Sequence, residues 1–489
     1  MNIVGNKDIN EEFLLFEFNE NKDKIKKSLD IVSKYIIDNE LLIVGGMSID
    51  FALRLKNDFL YNPTYQIPDY DVVSPDNIKH ANSIGALLCA EGIQNIAIIP
   101  AVHKTTVRVQ LLGYTVFDST FIPKNLYKNI PYMKYKDYKF IDPVYQKIDQ
   151  YSSLSFLWEV TGPSFNIINR FKKDVERKNK LSEFYKLEKK DFNPIYTNVE
   201  ISQYNKINKI RYVDIKTDSL NKRFETTVLS KDMLNTHIYN IDCDVIYHGT
   251  LAYAFYYQEF HSKHGDDKNI IIKPNIEIKN NKFIIDIVGK DMHIINSNNN
   301  IDNFYKNIST NDIIKIKKLS ALSTSVPNYY DISYENYNLQ IFDLCDKLLA
   351  INHIIYKDKI IFLSNYNYLL SFFLFMYYYE KGENSEIYRA YYCSLLYMVE
   401  KDQNIFNFSL NTLGFNYSIN ENYYYYVKNY NNLIVNKKNL DDLPPKNYIG
   451  YPNCEIKKYF NKEESEYYEE DQKEIKTTNF LNDLNNIKL

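Results

Sequence analysis

The stretch Ile67-Pro-Asp-Tyr-Asp-Val-Val-Ser-Pro75 decides how this chain is read. Asp69 and Asp71 stand two apart, with Val72 and Val73 behind them. In a strand, alternate side chains share a face, so both carboxylates point the same way. Like charges so placed need a cation between them. Oxygen ligands suit Mg2+ when a substrate phosphate completes its shell. Upstream lies Leu41-Leu-Ile-Val-Gly-Gly-Met-Ser-Ile-Asp-Phe-Ala-Leu-Arg-Leu55, an apolar strand, two glycines and a helical pattern. Gly45 and Gly46 let the backbone approach phosphate oxygens, and a helix N-terminus favours an anion. Ser48 reads either as a triphosphate ligand or as a cap of that helix. Downstream, Val107-Arg-Val-Gln-Leu-Leu-Gly-Tyr-Thr-Val-Phe-Asp118 reads as a hairpin turning near Gly113. It brings Asp118 onto a strand beside the Asp69–Asp71 strand. A solvated loop and ordinary turn chemistry explain each piece alone; their order speaks for nucleotide-plus-metal chemistry.

At this point a resemblance is visible. The chain resembles the nucleotidyltransferase superfamily of DNA polymerase beta type, and within it the poly(A) polymerase catalytic subunits of large and giant cytoplasmic DNA viruses. The residues that carry it are Gly45-Gly46-Met-Ser-Ile-Asp50-Phe-Ala-Leu, Pro68-Asp-Tyr-Asp-Val-Val-Ser-Pro75 and Ala101-Val-His103-Lys-Thr-Thr106-Val-Arg108-Val. Phe117-Asp118, Ile122-Pro-Lys-Asn125, Ile130-Pro131, Asp142-Pro-Val-Tyr-Gln146 and Arg170-Phe-Lys-Lys-Asp174 add to it. The match is dense from about Leu41 to Arg177 and departs from the relatives around Tyr151 to Thr161. The resemblance implies template-independent addition of AMP from ATP to the 3′ end of viral mRNA. Asp69, Asp71 and Asp118 are then the catalytic, metal-binding carboxylates for two Mg2+ or Mn2+ ions, with Gly45, Gly46 and Ser48 on the phosphates. Two other classes stay open: a nucleotidyltransferase with another acceptor, such as a CCA-adding or small-molecule-adenylating enzyme, and a non-catalytic RNA-binding protein.

The 489 residues suggest two large domains, and 45% hydrophobic with 25% charged residues is ordinary for a globular protein. A net charge of -3 gives no global attraction to nucleic acid, so RNA contact must be local. The basic run from Arg170 to Lys190 is by default a solvated face; the resemblance tips Arg170 and Lys173 toward ATP or the RNA primer. Lys206, Lys209 and Arg211 beside Tyr204 and Tyr212 combine backbone charge with rings for stacking. Arg108 faces either the active site or solvent. Asp50 matches the family pattern without reading as a metal ligand, and His103 lacks a partner at metal-ligand spacing. Five scattered cysteines without a C-x-x-C pair argue against structural zinc and for a reducing compartment. No signal core or membrane-length apolar run is visible, since Tyr366 to Tyr379 is too short.

The expected architecture is α/β (α+β): a mixed-sheet nucleotidyltransferase domain over 1–190 with an N-terminal helix, a second α/β domain over 191–460, and an acidic, disordered tail over 461–489. Expected partners are ATP and an RNA 3′ end, no membrane, and either a second copy of the chain or a processivity factor. The expected place is the host cytoplasm, at viral factories, or the virion. Val245-Ile-Tyr-His-Gly249-Thr-Leu-Ala repeats the strand, glycine and helix pattern. The second domain is then either a decayed copy of the first or a chance recurrence. As a copy, its D-x-D position falls in Ile276 to Ile287, where Glu277 and Asp286 are too far apart and Lys279 replaces a carboxylate.

Overall fold

A computed structural model describes residues 5–402, apart from 62–67, 102–105, 112–113, 156–166, 202–208, 214–237, 243–244, 281, 297–314, 320–321, 324, 328, 344–348 and 358; beyond them it describes 405, 411–412 and 449–451. His103, Lys206 and the acidic tail fall outside the described residues. The chain divides into two compact units, Met1–Gln146 with Asn429–Glu466 and Lys147–Lys428 with Tyr467–Leu489.

The first unit is built on one mixed sheet. Its strands are β1 (Leu42–Val44), β2 (Tyr70–Ser74), β3 (Ile96–Pro100), β4 (Thr106–Leu111), β5 (Tyr114–Phe121), β6 (Tyr132–Tyr135) and β7 (Tyr138–Ile141). They lie in the order β3-β4-β5-β2-β1-β7-β6, with the strand Ile449–Tyr451 on the β3 edge. Every β1 side chain is buried, as the apolar run before the glycines requires. Helix α1 (Gly5–Asp38) buries the stripe Ile25, Leu29, Val32 and Ile36, four residues set at helical spacing. Helix α2 (Gly45–Arg54) starts directly from β1, and α3 (Asn77–Ala90) buries Ala81, Ile84 and Leu88. A short α4 (Lys124–Tyr127) follows β5. Helix α5 (Pro143–Ser155) begins after Asp142, whose carboxylate accepts from Val144 N–H at 2.8 Å, with proline in the first turn.

The second unit adds α6 (Ile167–Phe184), β8 (Tyr196–Ile201), β9 (Lys209–Val213), β10 (Ile238–Asp242), β11 (Val245–His248), α7 (Gly249–His264), β12 (Ile276–Lys279), β13 (Lys282–Val288) and β14 (Asp291–Asn296). It continues with β15 (Lys315–Leu319), β16 (Tyr329–Ser333), β17 (Asn338–Asp343), β18 (Ala350–Tyr356), β19 (Lys359–Ser364), α8 (Tyr366–Tyr379), α9 (Glu383–Lys401) and β20 (Asn411–Thr412). Its main sheet runs β15-β16-β17-β14-β11-β19-β18-β20. Strand for strand this repeats the first sheet. The helix-linked pair β11 and β14 is antiparallel like β1 and β2. The pair β14 and β17 is parallel like β2 and β5. The pair β11 and β19 is parallel like β1 and β7. The outer pairs β16–β17, β15–β16 and β18–β19 are antiparallel like β4–β5, β3–β4 and β6–β7. Seven strands thus share one order and one set of directions in the two units.

One expectation is corrected here. Ile276 to Ile287 does not hold the counterpart of the D-x-D strand: β12 and β13 pair with each other, and β13 pairs with β8, in a separate three-stranded sheet. An extra hairpin has entered between α7 and the true counterpart, β14, and sequence order alone cannot show that. The registers equate Val44 with His248 and Asp71 with His293. The D-x-D of the first unit is therefore Asp291-Met-His293 in the second. Asp118 becomes Gln340, because Gln340 pairs with His293 as Asp118 pairs with Asp71.

What replaces the carboxylate is a packed core. His293 is fully buried; its Nδ1 accepts the Thr250 N–H at 3.3 Å, and its ring lies 4.8 Å from Phe372 and 6.1 Å from Phe342. His248 stacks on Tyr368 at 4.6 Å and bonds Ser364 Oγ at 2.9 Å. Burial pulls the His293 imidazole down to about 3, so it is neutral at pH 7. Its folded value lies below the ordinary one of about 6.5, so its contribution to stability is complete above that pH and is lost as pH falls toward 3. Between pH 7 and pH 5 this amounts to about 2 kcal/mol, near 1.4 kcal/mol for each pH unit below 6.5. Urea unfolding of the full chain at the two pH values should show His293→Gln losing that much less than the parent. Equal losses would contradict the buried neutral ring.

Candidate active site

The site grows from the β1–α2 turn. Gly45 has a φ of +65°, and a Cβ built on it meets Asp71 Oδ2 at 2.4 Å. Glycine is required twice over, by the backbone angle and by the carboxylate lying where a side chain would be. The Gly45 N–H donates to Gln146 Oε1 at 3.1 Å, and the Ser48 hydroxyl donates to the same oxygen at 2.9 Å while lying 3.1 Å from the Gly45 carbonyl. Ser48 is thus buried and bonded inward, and it does not cap α2, whose N-cap position is Val44 with no side-chain cap bond. Gly46 is buried in the first turn of α2. Asp50 is buried one turn on: its Oδ2 holds Arg54 Nε at 2.6 Å, and its Oδ1 accepts the Leu60 and Tyr61 N–H groups at 2.8 and 2.9 Å. Asp50 therefore anchors the backbone just after α2, at Leu60 and Tyr61.

Asp71 pairs in register with Asp118 on the neighbouring parallel strand, and Val44 pairs with Asp71 from the other side. Register partners share a sheet face, so Asp71 and Asp118 stand side by side next to the Gly45 turn. Asp69 is half-buried just ahead of β2, two residues from Asp71. Arg108 is the register partner of Asp118 on β4. Its Nε lies 2.9 and 3.2 Å from the two carboxylate oxygens, and its Nη2 lies 2.6 Å from Oδ2. The donor set is oxygen-only and sits at a helix N-terminus, which fits a hard divalent ion bridging carboxylates and phosphates. As the side chains stand, no three acidic, histidine or cysteine groups among the described residues form a metal cluster. Asp118 is turned to Arg108.

The structure thus sets Asp71 and Asp118 in register beside the turn that carries Gly45, Gly46 and Ser48, with Asp69 just ahead of β2. Arg170 and Lys173 lie on α6, in the second unit. Two further residues matter. Gln146 clamps the glycine turn; the sequence marked it only as the end of the Asp142-Pro-Val-Tyr-Gln146 match, without a role. Arg108 was left between two readings because alternation does not say which face carries the carboxylates.

The family description poly(A) polymerase catalytic subunit matches residues 30–159, the span that holds every one of these first-unit residues. The chain is similar over 396 residues, at 26% identity, to an African swine fever virus protein (isolate Tick/Malawi) provisionally described as a poly(A) polymerase catalytic subunit. That match covers 79% of this chain and 73% of the relative. The counterpart from isolate Warthog/Namibia is 25% identical over 407 residues, with the same coverage. Among solved structures, the Megavirus polyadenylate synthase has a TM-score of 0.54 at 16% identity, covering 83% of this chain and 76% of that one. That likeness is one of fold. Among the described residues no helix is long and apolar enough to cross a membrane.

Gly45→Ala sets a methyl against Asp71 and strains a left-handed backbone. The variant should lose about 1–3 kcal/mol and, by displacing the carboxylate on the order of 1 Å, about a hundredfold in nucleotide addition. Gly92→Ala, at φ +76° with open space around it, is the control. It should lose stability without losing turnover. Equal activity of the two variants would contradict the close approach of Gly45 to Asp71.

Proposed function

We propose that this chain adds AMP from ATP, without a template, to the 3′ end of viral mRNA in the host cytoplasm, by two-metal chemistry at Asp69, Asp71 and Asp118. The observation that carries the reading is the register pairing of Asp71 with Asp118 beside the Gly45 turn. Two Mg2+ or Mn2+ ions held by these carboxylates would supply activation of the primer hydroxyl and neutralisation of the leaving pyrophosphate. The chain's own part is orientation. Gly45 and Gly46 keep side chains out of the way of the triphosphate, and the α2 N-terminus favours its charge. Gln146 and Ser48 hold that turn rigid, while Asp50 holds the backbone at Leu60 and Tyr61. The paired strands β2 and β5 set the spacing of the carboxylates, so attacking oxygen and phosphorus meet at a fixed geometry.

The test is incubation of the purified protein with an oligo(A) primer, Mg2+ or Mn2+, and each nucleoside triphosphate in turn. Long products from ATP alone are expected. Asp69→Ala, Asp71→Ala or Asp118→Ala should each lower addition by roughly a thousandfold or more, several kcal/mol of charge stabilisation. The fold should survive, because removing one of a set of mutually repelling carboxylates relieves the metal-free protein. Near-normal turnover by Asp118→Ala overturns the three-carboxylate site. Products that stop after one adenylate, or that need CTP, indicate a different acceptor.

A further inference from the structure

We propose that Arg108 is a positioning residue that competes with the divalent ion for the third carboxylate, Asp118. The proposal rests on the catalytic reading above and adds to it a residue that the reading does not use.

Three observations carry it. First, the pair is built into the sheet: β4 and β5 place Arg108 opposite Asp118, and three nitrogen–oxygen distances of 2.6, 2.9 and 3.2 Å make a two-pronged fork. The side chains are 23% and 9% exposed, so solvent screens the pair only in part. Second, Asp118 lies in a row on one sheet face, with Asp71 on one side and Arg108 on the other. The guanidinium offsets repulsion between the carboxylates and fixes which way Asp118 is turned. The side chains accordingly form no three-carboxylate cluster among the described residues. Third, the second unit is an internal control. Where Asp118 has become Gln340, the position of Arg108 is Asp331. The fold therefore does not require a cation at that place. The arginine accompanies the carboxylate.

A divalent ion at Asp118 must share the carboxylate with a fixed positive charge or displace it. At effective dielectric values of a partly exposed site, and after screening, removing that charge is expected to tighten metal binding by roughly tenfold. A side chain present only to stabilise the sheet would not produce this effect.

The experiment is a Mn2+ titration of the full chain without nucleotide, followed by electron paramagnetic resonance of free Mn2+, with thermal melting to verify folding. Arg108→Gln should bind Mn2+ roughly tenfold more tightly than the parent. Arg108→Lys, which keeps the charge but not the fork, should fall between them. The double variant Arg108→Gln with Asp118→Asn should lose the gain. Folded Arg108→Gln with parental or weaker affinity overturns the proposal, as does a gain that persists without Asp118. If Arg108→Gln does not fold, Arg108→Lys decides: severalfold tighter binding supports competition, and parental affinity overturns it. Failure of the catalytic reading is seen separately, as retained nucleotide addition by Asp69→Ala or Asp71→Ala.

Discussion

Two aspartates on adjacent parallel strands, Asp71 and Asp118, are held in register by the main-chain bonds of β2 and β5. The rest of the first unit follows from that placement. Backbone pairing fixes the distance between the two strands at about 4.8 Å whatever the side chains prefer, so the carboxylates are brought together by the sheet, against their repulsion. Apolar burial on both sides of β1 and under α1 and α3 supplies the stability that makes this tolerable. Glycine at 45 then follows of necessity, since any side chain there would occupy the space of the Asp71 carboxylate. Arg108 on the far side completes the charge balance.

The second unit shows what the same topology does without that charge. With His293 and Gln340 at the two carboxylate positions, the equivalent place is filled by Phe342, Phe372 and Tyr388 around a neutral imidazole. Gly249 keeps a positive φ of +50°, and a Cβ there would meet His293 Nδ1 at 2.4 Å, the same close approach as at Gly45. The turn has outlived the chemistry. Gly46 has become Thr250, Ser48 has become Ala252 and Gln146 has become Leu369, each counted from the paired registers. A polar clamp has given way to apolar packing, which raises core stability and removes any cradle for phosphate.

Much of this was legible in the residues. Strand, Gly-Gly, helix, D-x-D and a hairpin ending in Asp118 gave the catalytic sheet, because each element has a local signal: periodicity, a turn residue or an N-cap. The recurrence of the strand-glycine-helix pattern was legible as a motif, Ile246-Tyr-His-Gly249, but the counterpart of the D-x-D was sought in the wrong strand. An inserted hairpin shifts the count, and only hydrogen-bond pairing reveals which strand neighbours which. The Arg108–Asp118 pair was invisible for a related reason: residues ten apart on a hairpin meet only if the register is known, and a bulge between Val109 and Gln110 alters the count. Ser48 and Gln146 meet across 98 positions, beyond any local rule.

The central claim is that one sheet of the two carries a metal-bound nucleotide, at the Asp71–Asp118 pair. Crystals of the full chain grown with Mn2+ and a non-hydrolysable ATP analogue, measured for anomalous scattering at the manganese edge, test it most directly. Manganese peaks between Asp69, Asp71 and Asp118, with none beside Asp291 and His293, are the predicted result. Peaks at the second sheet, or a nucleotide bound away from the Gly45 turn, would contradict it.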